Sequence, residues 1–158
     1  MAAVTSIRVS LVDVYVIRGS GARLECLALR RAAGGRCPGS WETVHGHIEP
    51  GERPAEAAAR ELEEETGLTR TRLYNLSRVE SFYQHRIDEV ALVPVFAAFV
   101  ADHGDVRLGI EHDRFEWLPA AEAEVRFAWP RERRALADIL AMLRAGDGGA
   151  IDDVLRVC

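Results

Sequence analysis

From Ile7 to Arg18 the chain reads IRVSLVDVYVIR, apolar on both sides of a two-residue period toward its middle. The pattern predicts a long strand over residues 7–18, buried on both faces at its centre. Gly19 and Gly21 break it, and Leu24, Leu27 and Leu29 start a second strand at hairpin distance. Gly34, Gly35, Pro38 and Gly39 predict an exposed loop over 30–39. A short strand is expected from Trp41 to Val44, ending at His45-Gly46-His47. Residues 73–83, 90–100 and 114–118 read as further strands. The run over 90–100 is almost wholly apolar and therefore central, while Pro94 inside it predicts a bulge or a sheet edge, because proline cannot donate to a ladder.

Helical periodicity takes over elsewhere. Over 54–66, Pro54 suits the first helical position, Ala and Glu fill the interior, and Gly67 stands where a left-handed cap is wanted. Residues 130–143 gather Leu136, Ile139, Leu140 and Leu143 on one face, and 119–124 reads as a helical turn. The polar run Gly146 to Gly149 leads into a tail that the pattern does not place.

With 158 residues, 48% of them hydrophobic, the chain is expected to form one domain over 1–158 whose core needs no disulfide or structural metal. Its 20 Lys and Arg are scattered among 25 Asp and Glu, for a net charge of −5, which argues against broad nucleic-acid binding. Cys26, Cys37 and Cys158 are odd in number and lack CxxC spacing, so neither a disulfide framework nor a Cys-rich zinc site is expected, and a reducing cytoplasm is. No export signal opens the chain and no apolar run is long enough to span a bilayer, so neither export nor membrane insertion is expected.

The helix over 54–66 breaks a local rule. At 100° per residue, Glu61, Glu64 and Glu65 share an arc of roughly 100°. Ala55, Ala58, Ala59 and Leu62 form an apolar stripe, and Glu56 and Glu63 point outward. Like charges at i,i+3 and i,i+4 cost roughly 0.2 to 0.5 kcal/mol each. Glu64 and Glu65 also stand at the negative end of the helix dipole. A solvated acidic face would explain the helix alone. A functional site is the other explanation, since a hard cation such as Mg2+, which takes oxygen ligands, reverses the balance.

The segment before and through the helix reads GHIEPGERPAEAAARELEEETGL from Gly46 to Leu68. In it Gly46, Glu52, Arg60-Glu61-Leu62, Glu64-Glu65 and Gly67-Leu68 stand at the spacing of the Nudix box, so the chain resembles the Nudix hydrolase family, which cleaves nucleoside diphosphates linked to another moiety. The resemblance implies an α/β fold, a Nudix-type α/β/α sandwich with a mixed sheet between helices, and a Mg2+ cofactor for which Mn2+ can substitute. It further implies that Glu61 and Glu65 ligate metal, that Glu64 is a further ligand or the base for water, and that the Gly46 carbonyl completes the shell. Arg60 would orient the glutamates, and Glu52 would support the loop. Val44-His45-Gly46 departs from the Pro-Gly-Gly that many members carry there. With residues 111–123, EHDRFEWLPAAEA, and Trp129, that departure is similar to the bacterial branch acting on dihydroneopterin triphosphate, also described as dATP pyrophosphohydrolase. This branch makes Glu111 the candidate for an added carboxylate.

Outside the box, Trp41 is a candidate to stack on a base or pterin ring, against a plain core role. Arg30 and Arg31 are candidates to clamp phosphates. Trp129 has the same two readings as Trp41, and Tyr83 stands near where the dinucleoside polyphosphate hydrolases of the family carry a ring-stacking Tyr, against a plain strand role; His45, His47 and His85 lack partners at metal-ligand spacing and are expected in solvent or loop roles. The expected activity is Mg2+-dependent cleavage of a nucleoside or pterin triphosphate to monophosphate and pyrophosphate. The alternatives are hydrolysis of a dinucleoside polyphosphate or ADP-ribose, or a sensing module without turnover. The expected partner is a small nucleotide-like substrate.

Overall fold

The computed structural model describes residues 3–158. Its strands are β1 (Ser6–Val9), β2 (Leu11–Arg18), β3 (Glu25–Arg31), β4 (Trp41–Glu42), β5 (Val44–His47), β6 (Arg70–Gln84), β7 (Glu89–Val100) and β8 (His112–Pro119). The helices are α1 (Pro54–Thr66), α2 (Ala120–Arg126), α3 (Pro130–Leu143) and the short α4 (Asp152–Leu155). All 8 strands join one sheet along the path β1-β7-β2-β3-β4, with β5 on β2, β6 on β7 and β8 on β3. β1 and β2 run parallel to β7 and the other pairs are antiparallel, so the sheet is mixed.

Period-two alternation divides the core. Val12, Val14 and Val16 of β2 face α1 and pack with Ala57, Ala58 and Leu62. Tyr15 and Ile17 face the other way, onto Ala123 of α2 and Leu136, Ile139 and Leu143 of α3. The result is the expected α/β/α sandwich. Among the described residues, no helix is long and apolar enough to cross a membrane.

The single strand expected over 7–18 is two strands. β1 is exposed throughout, and the offset to β7 changes between Val9↔Leu92 and Asp13↔Val95. Pro94 sits at this junction, opposite Val79, where the β6 register also shifts. A residue without an N–H is thus placed where the ladder is interrupted on both sides, and the bulge alternative holds while the sheet-edge one does not. The strand expected over 41–44 also divides at Thr43, whose N–H donates to Glu132 of α3 at 2.6 Å and whose hydroxyl donates to the Val14 carbonyl. Strand β3 runs on to Arg31, which shortens the expected loop. The tail folds back on β6, where the Tyr74 hydroxyl meets Asp152 and Arg156 bridges Tyr74.

Candidate active site

Helix α1 forms where its sequence predicts. Pro54 opens it, Glu56 accepts a hydrogen bond from the Arg53 N–H at 2.8 Å, and Gly67 closes it at φ 70° with its N–H on the Glu63 carbonyl. One helical turn apart, Glu61 and Glu65 are both buried between the helix and the sheet. Glu64 is at the rim, its side chain 58% exposed, and Glu63 points to solvent. The three acids therefore do not share one environment.

Gly46 lies on β5 against Glu61. A Cβ on Gly46 would stand 2.0 Å from the Glu61 carboxyl carbon, so only glycine leaves room for the carboxylate. Arg60 holds the surroundings together. It donates to both oxygens of Glu52 at 2.8 and 2.9 Å, to Glu61 at 2.8 Å, to Glu64 at 3.1 Å and to the His47 carbonyl at 2.8 Å. The paired donation pulls the Glu52 carboxyl down to about 2. Glu52 also accepts from the Glu49 N–H, which closes the loop between β5 and α1.

Glu65 is in the opposite electrostatic state. Burial, with Glu61, Glu111 and Glu42 nearby, pushes its carboxyl up to about 9, against a backbone hydrogen bond from His45. Among the described residues its Oε2 has no hydrogen-bond partner, and neither has the buried His112 Nδ1, 3.9 Å away. The other ring nitrogen of His112 is 2.9 Å from Glu42, which Arg31 reaches at 3.3 Å while lying 3.7 Å from Glu111. A bulge produces this cluster. Arg30 pairs with Arg114 and Arg31 with His112, so Asp113 is the extra residue and His112 turns inward.

Arg30 and Arg31 consequently separate. Arg31 and Glu42 share the α1 face with Leu29, whereas Arg30 and Trp41, cross-strand partners, lie on the α3 face. Arg30 is paired with Asp113 at 2.8 Å, and the Arg126 guanidinium lies 4.7 Å over the Trp41 ring. The structure therefore does not bring these two substrate-binding candidates onto the face that carries the acids. His45, expected in solvent or a loop, is a strand residue on that same α3 face. Its Nδ1 is 2.6 Å from the fully buried Asp13, whose other oxygen takes Arg131 at 3.0 Å. His47 and His85 are exposed, and Tyr83 reaches Asp88 at 2.8 Å.

Among the described residues, no three His, Cys, Asp or Glu side chains converge on a single point as a metal-binding group. The residues nonetheless suit a hard cation: a buried carboxylate oxygen lacks any donor, and a glycine clears space at the neighbouring carboxylate. Sequence reasoning missed Glu42, His112 and Asp13. A charged residue inside an apolar strand, as Asp13 is, was the one signal available.

A family model described as NUDIX domain matches residues 8–139. The octanoyltransferase of Myxococcus xanthus is 42% identical over 132 residues, 80% of this chain and 36% of that protein. Nucleoside triphosphatase NudI of Escherichia coli O81 is 32% identical over 111 residues, 65% of this chain and 77% of that protein. The chain spans between 36% and 60% of the length of the first curated relatives. Two solved structures share the fold. A Caenorhabditis elegans Ap4A hydrolase in a binary complex has a TM-score of 0.70 at 24% identity, covering 84% of this chain and 96% of that one. The E. coli dihydroneopterin triphosphate pyrophosphohydrolase has a TM-score of 0.65 at 23% identity, covering 82% and 94%.

Proposed function

The chain belongs to the Nudix family, and from that premise we propose that it is a Mg2+-dependent pyrophosphohydrolase that cleaves a nucleoside or pterin triphosphate to monophosphate and pyrophosphate. The observation that carries this reading is Glu65, a buried carboxylate with an unpartnered oxygen, surrounded by Glu61, Glu42 and Glu111 and, among the described residues, paired with no arginine. Stability alone gives no reason to collect these charges.

Glu61, Glu65 and the Gly46 carbonyl would hold the metal, with Glu64 at its rim and Glu111 arriving from the turn before β8. Bound there, Mg2+ supplies neutralising charge for the phosphates and makes water more acidic. Glu64 is open to solvent, so it accepts the proton as water attacks an inner phosphorus and the bond to the departing pyrophosphate breaks. Arg60 fixes Glu61 and Glu64 through charge-assisted hydrogen bonds and ties both to the loop through Glu52. Arg31, on the α1 face with Glu42 and 3.7 Å from Glu111, is the arginine placed to meet the phosphates, whereas Trp41 and Arg30 lie on the α3 face away from the acids.

Triphosphate hydrolysis is the activity in NudI's name, and its match covers most of that protein. The acyl transfer named for the M. xanthus relative is not adopted, because only 36% of that protein is matched. The test is product analysis with Mg2+ on dihydroneopterin triphosphate, dATP, the other nucleoside triphosphates, ADP-ribose and diadenosine tetraphosphate. Pyrophosphate and monophosphate from a triphosphate, at the highest kcat/KM of the set, are expected. Preference for ADP-ribose or the dinucleotide contradicts the substrate class, and no turnover with Mg2+ or Mn2+ contradicts the enzyme.

A further inference from the structure

The buried cluster beneath α1 stops at Phe96 on β7. Beyond it β1, the first half of β7 and the last half of β6 continue as three paired strands. Residues two apart on a strand share a face, so Leu92 and Val90 point to the same side as Phe96. Cross-strand partners share it too. One row is Ile7, Val90 and Tyr83, and the next is Val9, Leu92 and Ser81.

The other side of these strands is filled by Leu11, Ala91, Val93 and Phe82. On the α1 side nothing in the described residues covers them. Ile7 is 69% exposed, Val9 51%, Val79 59% and Tyr83 57%. Among the described residues β1 pairs only with β7, so its outer edge is free of them as well. An exposed apolar face beside a free edge is a template for association that proteins normally cover or charge.

We propose that this face is the contact between two copies of the chain, stacked face to face about a two-fold axis. Its rows carry no charged side chain, so a partner that recognises charge gains nothing here. An apolar three-stranded face meets its own copy across a two-fold axis without mismatched charge, and aligned sheets stack about 10 Å apart. Ile7, Val9, Val79 and Tyr83 are each more than half exposed, so a two-fold contact that covers them on both copies approaches the roughly 1,000 Å2 that a specific interface needs. Asp88, which binds both the Tyr83 hydroxyl and Thr5, supplies a polar rim. Because the Ile48 N–H donates to the Ser10 carbonyl next to β1, the second copy stands beside the loop that leads into α1.

The test is sedimentation of the chain over a concentration series up to the hundred-micromolar range. Wild type shows a concentration-dependent dimer. The double variant Ile7→Asp, Tyr83→Asp weakens it by about 30-fold or more, the effect of losing a central contact, while its circular dichroism stays that of the folded wild type. Val125→Asp, at a 77% exposed position on α2, leaves the dimer intact. If the double variant fails to fold, Val9→Lys decides, since it puts one charge in the middle of the face. A wild type that stays monomeric through the series, or a dimer that survives substitution of this face, overturns the proposal.

Discussion

Gly46 leaves no room for a side chain beside the Glu61 carboxylate, and the consequence is local. Gly46→Ala places a methyl group where the Glu61 carboxylate stands, and the carboxylate must leave. A misplacement of about 1 Å can cost about 10²-fold in rate, so kcat is expected to fall by about that factor while circular dichroism is unchanged. Near-wild-type turnover would show that the position of Glu61 does not matter. Glu111 is tested against Glu116, an acid on β8 already paired with Arg114 and Arg126. Glu111→Ala is expected to lose about 10-fold or more in kcat, or to need more Mg2+, whereas Glu116→Ala keeps wild-type kinetics. The box residues were legible because their spacing is set within one loop and one helix. Glu42 and His112 were not, because only the pairing of β3 with β4 and β8, and the bulge at Asp113, brings them to Glu65.

The boundaries of α1 were equally legible, since proline and glycine act on the backbone at their own positions. The breaks at Ser10 and Thr43 were hidden by unbroken β-type patterns; they arise from a register change against β7 and from the reach of Glu132 across the sheet. Burial within α1 followed the apolar stripe only in part, since Ala57 on the acidic side is also fully buried. As an element, α1 carries acids that repel one another and no basic residue in its last turn. Mg2+ is therefore expected to raise the melting temperature by mass action, and Glu61, Glu64 and Glu65 all changed to Gln should abolish the rise. A rise of the same size in that variant puts the ion elsewhere.

The whole molecule keeps two buried acids in their protonated range. Burial pushes Glu132 up to about 8 and Glu65 up to about 9, from an ordinary value of 4.5. Above pH 4.5 the unfolded chain has released both protons while the folded chain still holds them. The folded form binds more protons across this window, so stability falls as pH rises toward 8 and 9. Asp13 acts below it, its carboxyl held under 3.8 by His45 and Arg131 against its own burial. Thermal unfolding in EDTA should thus show a melting temperature that declines from pH 5 to 9, and a flat or rising profile contradicts the two assignments. On the proposed reading Glu65, buried in α1, holds the metal, and Glu63, on the solvent side of the same helix, takes no part. Glu65→Gln against Glu63→Gln tests it most directly, because glutamine imitates the protonated form that the metal-free fold already accepts. With the best triphosphate and saturating Mg2+, Glu65→Gln should lower kcat by at least about 10²-fold, and Glu63→Gln should leave it near wild type. Equal effects of the two substitutions on kcat would contradict the account.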